Sequence, residues 1–153
     1  MGRIEYGYGS GYINGKLDYQ KIGFSTDGSQ PTIAGINILV ADQATGVERD
    51  RFAGIIGLAP RSTEVRLPSF ISQMSLASSQ AQLVEQEGQA PPLSSLFSFY
   101  LGRTQKDQGM VTFGGYDVPR FAKEGLTDKD VFWANIEKDE KMWTVNLESI
   151  GFS

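Results

Sequence analysis

The side chains available for acid/base chemistry in this chain are Asp, Glu, Lys and Tyr, because its 153 residues include no His and no Cys. Ser-His-Asp and Cys-His relays, HExxH zinc sites and imidazole proton transfer are therefore excluded. Thiol nucleophiles, zinc-cysteine sites and disulfides are excluded with them. The most suggestive spacing belongs instead to a run of glycine and tyrosine, Tyr6-Gly7-Tyr8-Gly9-Ser10-Gly11-Tyr12. Glycine permits positive φ and close approach of a ligand to the backbone, while the interleaved rings supply contact area, so the run reads as a mobile β-hairpin tip. Taken alone it is more simply the tip of an ordinary hairpin. It is not a phosphate-binding GxGxxG loop, since Tyr12 stands where the third glycine is required.

Three further groups have plain readings. The Gly-bounded apolar block Phe52-Ala53-Gly54-Ile55-Ile56-Gly57-Leu58-Ala59-Pro60 reads as a strand packed against another backbone with nothing in between. Phe132, Trp133 and Trp143 read as core residues, not as a stacking platform for a ligand. The acidic cluster Glu137, Asp139 and Glu140, interrupted by Lys138 and followed by Lys141, reads as a solvated turn, so no metal or other cofactor is expected.

The elements that must carry these residues follow mainly a period of two. Ile13, Gly15, Leu17, Tyr19 and Lys21 share one strand face against Tyr12, Asn14, Lys16, Asp18 and Gln20, which predicts a long hairpin arm with the Gly/Tyr run at its head. Asp27-Gly28 marks a turn, and 33–40 reads as a further strand. Leu67, Phe70, Ile71 and Met74 recur at helical spacing, with Pro68 at a plausible first helical position. From 75 to 95 the chain is rich in Ser, Gln, Ala and Glu and ends in Pro91-Pro92, a helix tail followed by a long exposed loop. Residues 97–101 and 109–113 form a predicted hairpin around Lys106-Asp107-Gln108, and 131–136 is expected to pair with 142–150. The fold class is mainly β with one or two short helices.

Composition narrows the partners. With 40% hydrophobic and 21% charged residues the chain has ordinary globular chemistry, at a one-domain length. Fourteen Lys plus Arg against 18 Asp plus Glu give a net charge of −4, and the basic residues are scattered, which excludes a nucleic-acid partner. No apolar stretch approaches the roughly 20 residues a bilayer helix needs. No leader of the positive-then-apolar kind opens the sequence, and Tyr6 stands where a myristoylation signal requires Ser or Thr.

The order of the motifs closely resembles the middle of a pepsin-like aspartic endopeptidase, the group that includes cathepsin D. The blocks, in family order, are Tyr6-Gly7-Tyr8-Gly9-Ser10, Gly15-Lys16-Leu17-Asp18, Phe52 to Ala59, Phe97-Ser98-Phe99-Tyr100-Leu101, Gly109 to Asp117 ending in Gly114-Gly115-Tyr116-Asp117, and Met142-Trp143 to Ile150. The resemblance covers nearly the whole chain. It implies part of the bilobal acid-protease fold, with 1–120 as the latter part of the N-terminal lobe and 121–153 as the start of the C-terminal lobe. Within the first part it implies a flap hairpin at 3–22, an insertion-like loop at 77–94 and interlobe strands over 97–115.

The same resemblance implies hydrolysis of peptide bonds by a water held between two Asp carboxylates that share a proton. Each carboxylate comes from an apolar-Asp-Thr/Ser-Gly loop, and no Asp in this sequence is followed by Thr-Gly or Ser-Gly. The chain is therefore expected to contain no catalytic residue of its own, to depend on flanking parts of its polypeptide, and to be inactive alone. Tyr6 matches the flap tyrosine, and the backbone at Gly7, Tyr8 and Gly9 would hydrogen-bond an extended peptide or protein substrate. The family usually has Thr or Ser where Tyr8 stands, so the tip is bulkier here. Phe52 and Ile55 match positions lining the pocket for the residue before the scissile bond, whereas Ile56 and Leu58 read as core. Ala53 replaces the family's usual Asp. Family membership implies a secreted or acidic-vesicle location. The alternative of a different class is a non-catalytic β-rich peptide-binding or interaction module.

Overall fold

The computed structural model describes residues 3–8, 11–24, 32–46, 53–60, 67–84, 91–137 and 142–151. Three strands, β1 (Arg3–Tyr8), β2 (Gly11–Gly23) and β3 (Thr32–Thr45), form an antiparallel sheet in the order β1-β2-β3. The alternation in β2 is visible in its burial: Ile13 and Leu17 are half-buried and Gly15 is buried, while Tyr12, Lys16 and Asp18 are exposed. Tyr19 and Lys21 do not continue that buried face. A register shift between Gln20 and Ile22 inserts an irregular step, and Ile22 packs toward the core instead. A second shift lies at Asn14 and Gly15, where Asn14 faces Gln43 and Gly15 faces Ala41. The strands approach so closely there that a Cβ on Gly15 would stand 2.1 Å from the carbonyl oxygen of Val40.

Helix α1 (Phe70–Val84) crosses β3. Its first helical residue is not Pro68: Ser69 precedes the helix as its cap, with its Oγ accepting from the Ser72 N–H at 3.3 Å. The proline serves in the approach, where its fixed φ and missing donor cost nothing. Ile71 and Met74 are buried against Ile36 of β3, and Phe70 and Ala77 flank them. The stripe expected from the sequence is thus the packed one, except that Leu67 lies ahead of the helix. The helix also runs through Val84, so the first part of the segment 77–94 is helix, not loop. Ala, Gln and Leu support that continuation by intrinsic propensity.

A second antiparallel pair, β4 (Phe97–Tyr100) and β5 (Met110–Phe113), follows the expected hairpin. Phe113 joins the two halves of the core: its ring lies 5.2 Å from that of Phe24 and 5.8 Å from that of Phe70. Gly114, at φ 81, leaves room for Leu93, whose Cδ2 would otherwise stand 2.6 Å from a Cβ. Helix α2 (Val118–Phe121) follows, capped by Asp117, and a 3-10 turn spans Asp128–Asp130. Among the described residues the architecture is mainly β with two α-helices, and no helix is long and apolar enough to cross a membrane.

Three expected strands are absent from the described residues. Residues 53–60 are irregular, and a Cβ added to Gly54 or Gly57 would meet nothing within 4 Å, so no backbone packs against them among the described residues. Ile56 is 52% exposed, while Leu58 does reach the core. Residues 131–136 and 142–150 form no ladder; the N–H of Glu137 donates to the carbonyl of Thr144 at 2.9 Å, and among the described residues no further backbone bond joins them. Phe132 is 91% exposed and Trp133 and Trp143 are also exposed, which corrects their reading as core. Apolar, β-prone sequence makes a strand only where a partner completes the ladder and something covers the face.

Candidate functional site

The Gly/Tyr run sits where the sequence places it, at the head of the β1/β2 hairpin. Tyr6 pairs with Ile13, Gly7 with Tyr12 and Tyr8 with Gly11. Alternation puts Tyr6 and Ile13 on one face and Gly7 and Tyr12 on the other. Tyr6 and Ile13 are half-buried, whereas Gly7 and Tyr12 are exposed. β1 lies at the edge of the described sheet, and a Cβ on Gly7 would meet nothing within 4 Å, so an incoming chain finds room beside its backbone. Gly11 has the opposite reason to be glycine, since a Cβ there would lie 2.1 Å from the carbonyl oxygen of Thr45. The end of β3 thereby presses directly on the root of the tip.

Charge braces this head from one side. The Arg3 guanidinium pairs with Asp42 and donates from Nε to the Asn14 Oδ1 at 3.2 Å, tying all three strands together. The pair is exposed and contributes little to stability by itself; the register of β1 and β3 is set by their backbone ladders with β2.

The other predicted site residues are less gathered. Gly9, Phe52 and the Asp27-Gly28 turn lie outside the described residues, as do Lys138, Asp139 and Glu140. Ile55 is 47% exposed on the irregular segment 53–60. A cavity of about 470 Å³ opens at the end of that segment, bounded by Leu58, Pro60, Ile71, Phe97, Trp133 and Trp143. Neither Ile55 nor the hairpin lines it. Trp143 is held at its rim by donating Nε1–H to the Leu58 carbonyl at 2.8 Å and by edge contact with Phe97, 5.6 Å away. Sequence reading missed this cavity because it assigned both tryptophans to the core; their spacing alone carried no sign of a concave wall.

Asp130 is held below the usual carboxylate range because the Thr127 backbone N–H donates to its Oδ2 at 2.8 Å and the Thr127 hydroxyl donates at 3.0 Å. That is a capping interaction of the 3-10 turn. No group of three or more acidic side chains among the described residues could hold a metal ion. Chemically, the arrangement offers an open peptide backbone beside a half-buried phenol, which suits holding an extended chain.

Compared with known families, residues 2–153 match the family described as Eukaryotic aspartyl protease. No curated protein and no solved structure matches.

Proposed function

Because the chain belongs to the eukaryotic aspartyl protease family, we propose that it supplies the flap and part of the substrate pocket of an aspartic endopeptidase. In this reading the enzyme cuts peptide bonds between bulky apolar residues at acid pH. Two Asp carboxylates share a proton because like charges so close cannot both ionise, and together they activate a water against the peptide carbonyl. The carboxylates lie on other segments of the polypeptide, since no Asp among these 153 residues is followed by Thr-Gly or Ser-Gly. The hairpin head closes over bound peptide, with the Tyr6 phenol beside the reacting bond and the backbone at Gly7, Tyr8 and Gly9 hydrogen-bonding the substrate. Phe52 and Ile55 line the pocket for the residue before the scissile bond. The first 120 residues belong to one lobe and 121–153 begin the other, and a secreted or acidic-vesicle location matches the acid chemistry.

The observation that carries this reading is the half-buried Tyr6 beside the open backbone of Gly7 on a hairpin head. The test is cleavage of a denatured protein at acid pH by the longer polypeptide, with and without its two loop aspartates. Cleavage by the 153-residue chain alone would overturn the assignment of the carboxylates to other segments. The missing Asp-Thr/Ser-Gly loops also favour a second reading, a non-catalytic peptide-binding module related to the family. A longer polypeptide without either aspartate that still binds an extended apolar peptide would establish it.

A further inference from the structure

Gln73 is the one buried polar side chain among the described residues, 8% exposed in the middle of the α1 face that packs on β3. Its Oε1 accepts from the Asn37 backbone N–H at 2.8 Å and from Asn37 Nδ2 at 3.2 Å, and its Nε2 donates to the Pro68 carbonyl at 3.2 Å. An apolar residue would fill this space as well. The neighbouring contacts of Ile36, Ile71 and Met74 are apolar and therefore non-directional, so they hold α1 against β3 without fixing how far one slides along the other. The bonds of Gln73 are directional, and they bind one helical position to one strand position.

That register reaches the hairpin head through β3. Asn37 faces Tyr19 of β2, Thr45 at the far end of β3 faces Tyr12, and the Thr45 carbonyl occupies the space a Gly11 side chain would need. From Tyr19 to Ile13, the partner of Tyr6, is six residues, about 20 Å at roughly 3.3 Å per residue. We propose that Gln73 is a positioning residue for the flap: it clamps β3 to α1 and so sets where the hairpin head, with Tyr6, stands. The clamp also occupies an outward N–H of β3, the edge strand of the sheet, where another chain would otherwise pair. The kinetic part of the proposal rests on the flap reading given above. Misplacement of a reacting group by about 1 Å can lower rate on the order of a hundredfold, so a register shift small enough to leave the fold intact is large enough to read.

The test compares Gln73→Met, which keeps volume and removes every bond, with Gln73→Glu in the longer polypeptide. At acid pH the new carboxyl is neutral and reproduces both the acceptor and the donor; burial raises its pKa above the ordinary value, and once it ionises the donor is lost and a charge is buried. Gln73→Met is expected to speed amide exchange at Asn37, Tyr6 and Ile13 by about tenfold or more and to lower kcat about tenfold with KM changed less than about threefold. Gln73→Glu is expected to restore both at pH 4 and, compared with the parent at the same pH, to lose hairpin protection as the carboxyl ionises at higher pH. Faster exchange with unchanged kcat, in a protein whose Tyr6→Ala variant is slowed, overturns the positioning role. If Tyr6→Ala leaves the kinetics unchanged, the flap reading has failed, and unchanged exchange at Tyr6 and Ile13 in Gln73→Met then overturns the clamp as well. Should Gln73→Met not fold, hairpin protection in Gln73→Glu that matches the parent's at every pH overturns it, and protection that falls below the parent's at the same pH as the carboxyl ionises upholds it.

Discussion

At the scale of single residues, Tyr6 and Asp130 show how differently two polar groups serve a fold. A phenol that reaches its position over bound substrate acts mostly on the transition state. Tyr6→Ala in the longer polypeptide is therefore expected to lower turnover by roughly ten- to a thousandfold, the loss of about 1.4 to 4 kcal/mol, as read by steady-state kinetics. Asp130 uses its bonds from Thr127 to hold the 3-10 turn. Its folded pKa is lowered, so its contribution is fully present above the unfolded value near about 3.9 and is lost as pH falls through the lower folded value. An NMR titration should show the Asp130 carboxyl protonating below ordinary aspartate, and Thr127→Val should move it back up. The hairpin that carries Tyr6 and Gly7 was legible in the sequence because the Gly/Tyr run heads an alternating strand, as a tip does. The Asp130 cap was equally written there, as Thr three residues before Asp, but a short polar turn gives no hydrophobic period to draw attention to it.

Elements obey partners as well as propensities, and the glycines of the hairpin separate the two. Gly15 sits where Val40 carbonyl and Ala41 Cα would press on a side chain, whereas Gly7 faces open space. Gly15→Ala is expected to destabilise by about 1 to 3 kcal/mol as the strands are forced apart. Gly7→Ala should stay within about 0.5 kcal/mol of the parent in a denaturant titration, yet weaken binding of an extended peptide. β1, β2 and β3 could be read from alternation because each has a neighbour in the ladder, and β4 with β5 because polar Lys106-Asp107-Gln108 separates two β-prone stretches that pair with each other. The same reasoning failed at Gly54 to Leu58 and at 131–150, where composition is just as β-prone but the described residues supply no ladder. Helix α1 was legible at Ile71 and Met74, where the stripe is apolar, and as a tail from 75, but its extent to Val84 was not, because Ser, Gln and Ala give the same signal in a loop as in a helix.

On the scale of the whole molecule, the apolar surface is divided unevenly between a small core and a broad exposed face. Buried apolar side chains among the described residues are Ile36, Ile71 and Met74. Against them stand Phe132, Trp133, Met142, Trp143, Leu147 and Ile150, all exposed and all within one stretch of chain. Covering even about 400 Å² of such surface is worth about 10 kcal/mol at ~25 cal/mol per Å², as much as the entire stability of an ordinary domain. Left uncovered, it favours association, and the edge of β3 over 36–41 has no charge to prevent strand pairing between chains. The 153-residue chain by itself is therefore expected to self-associate or to remain loosely packed, and to become a cooperative monomer once this face is covered. Light scattering and calorimetry on the same sample decide the point. A monomer with a sharp two-state transition would mean that these side chains cover one another in solution, and that the exposed face is not a surface waiting for a partner.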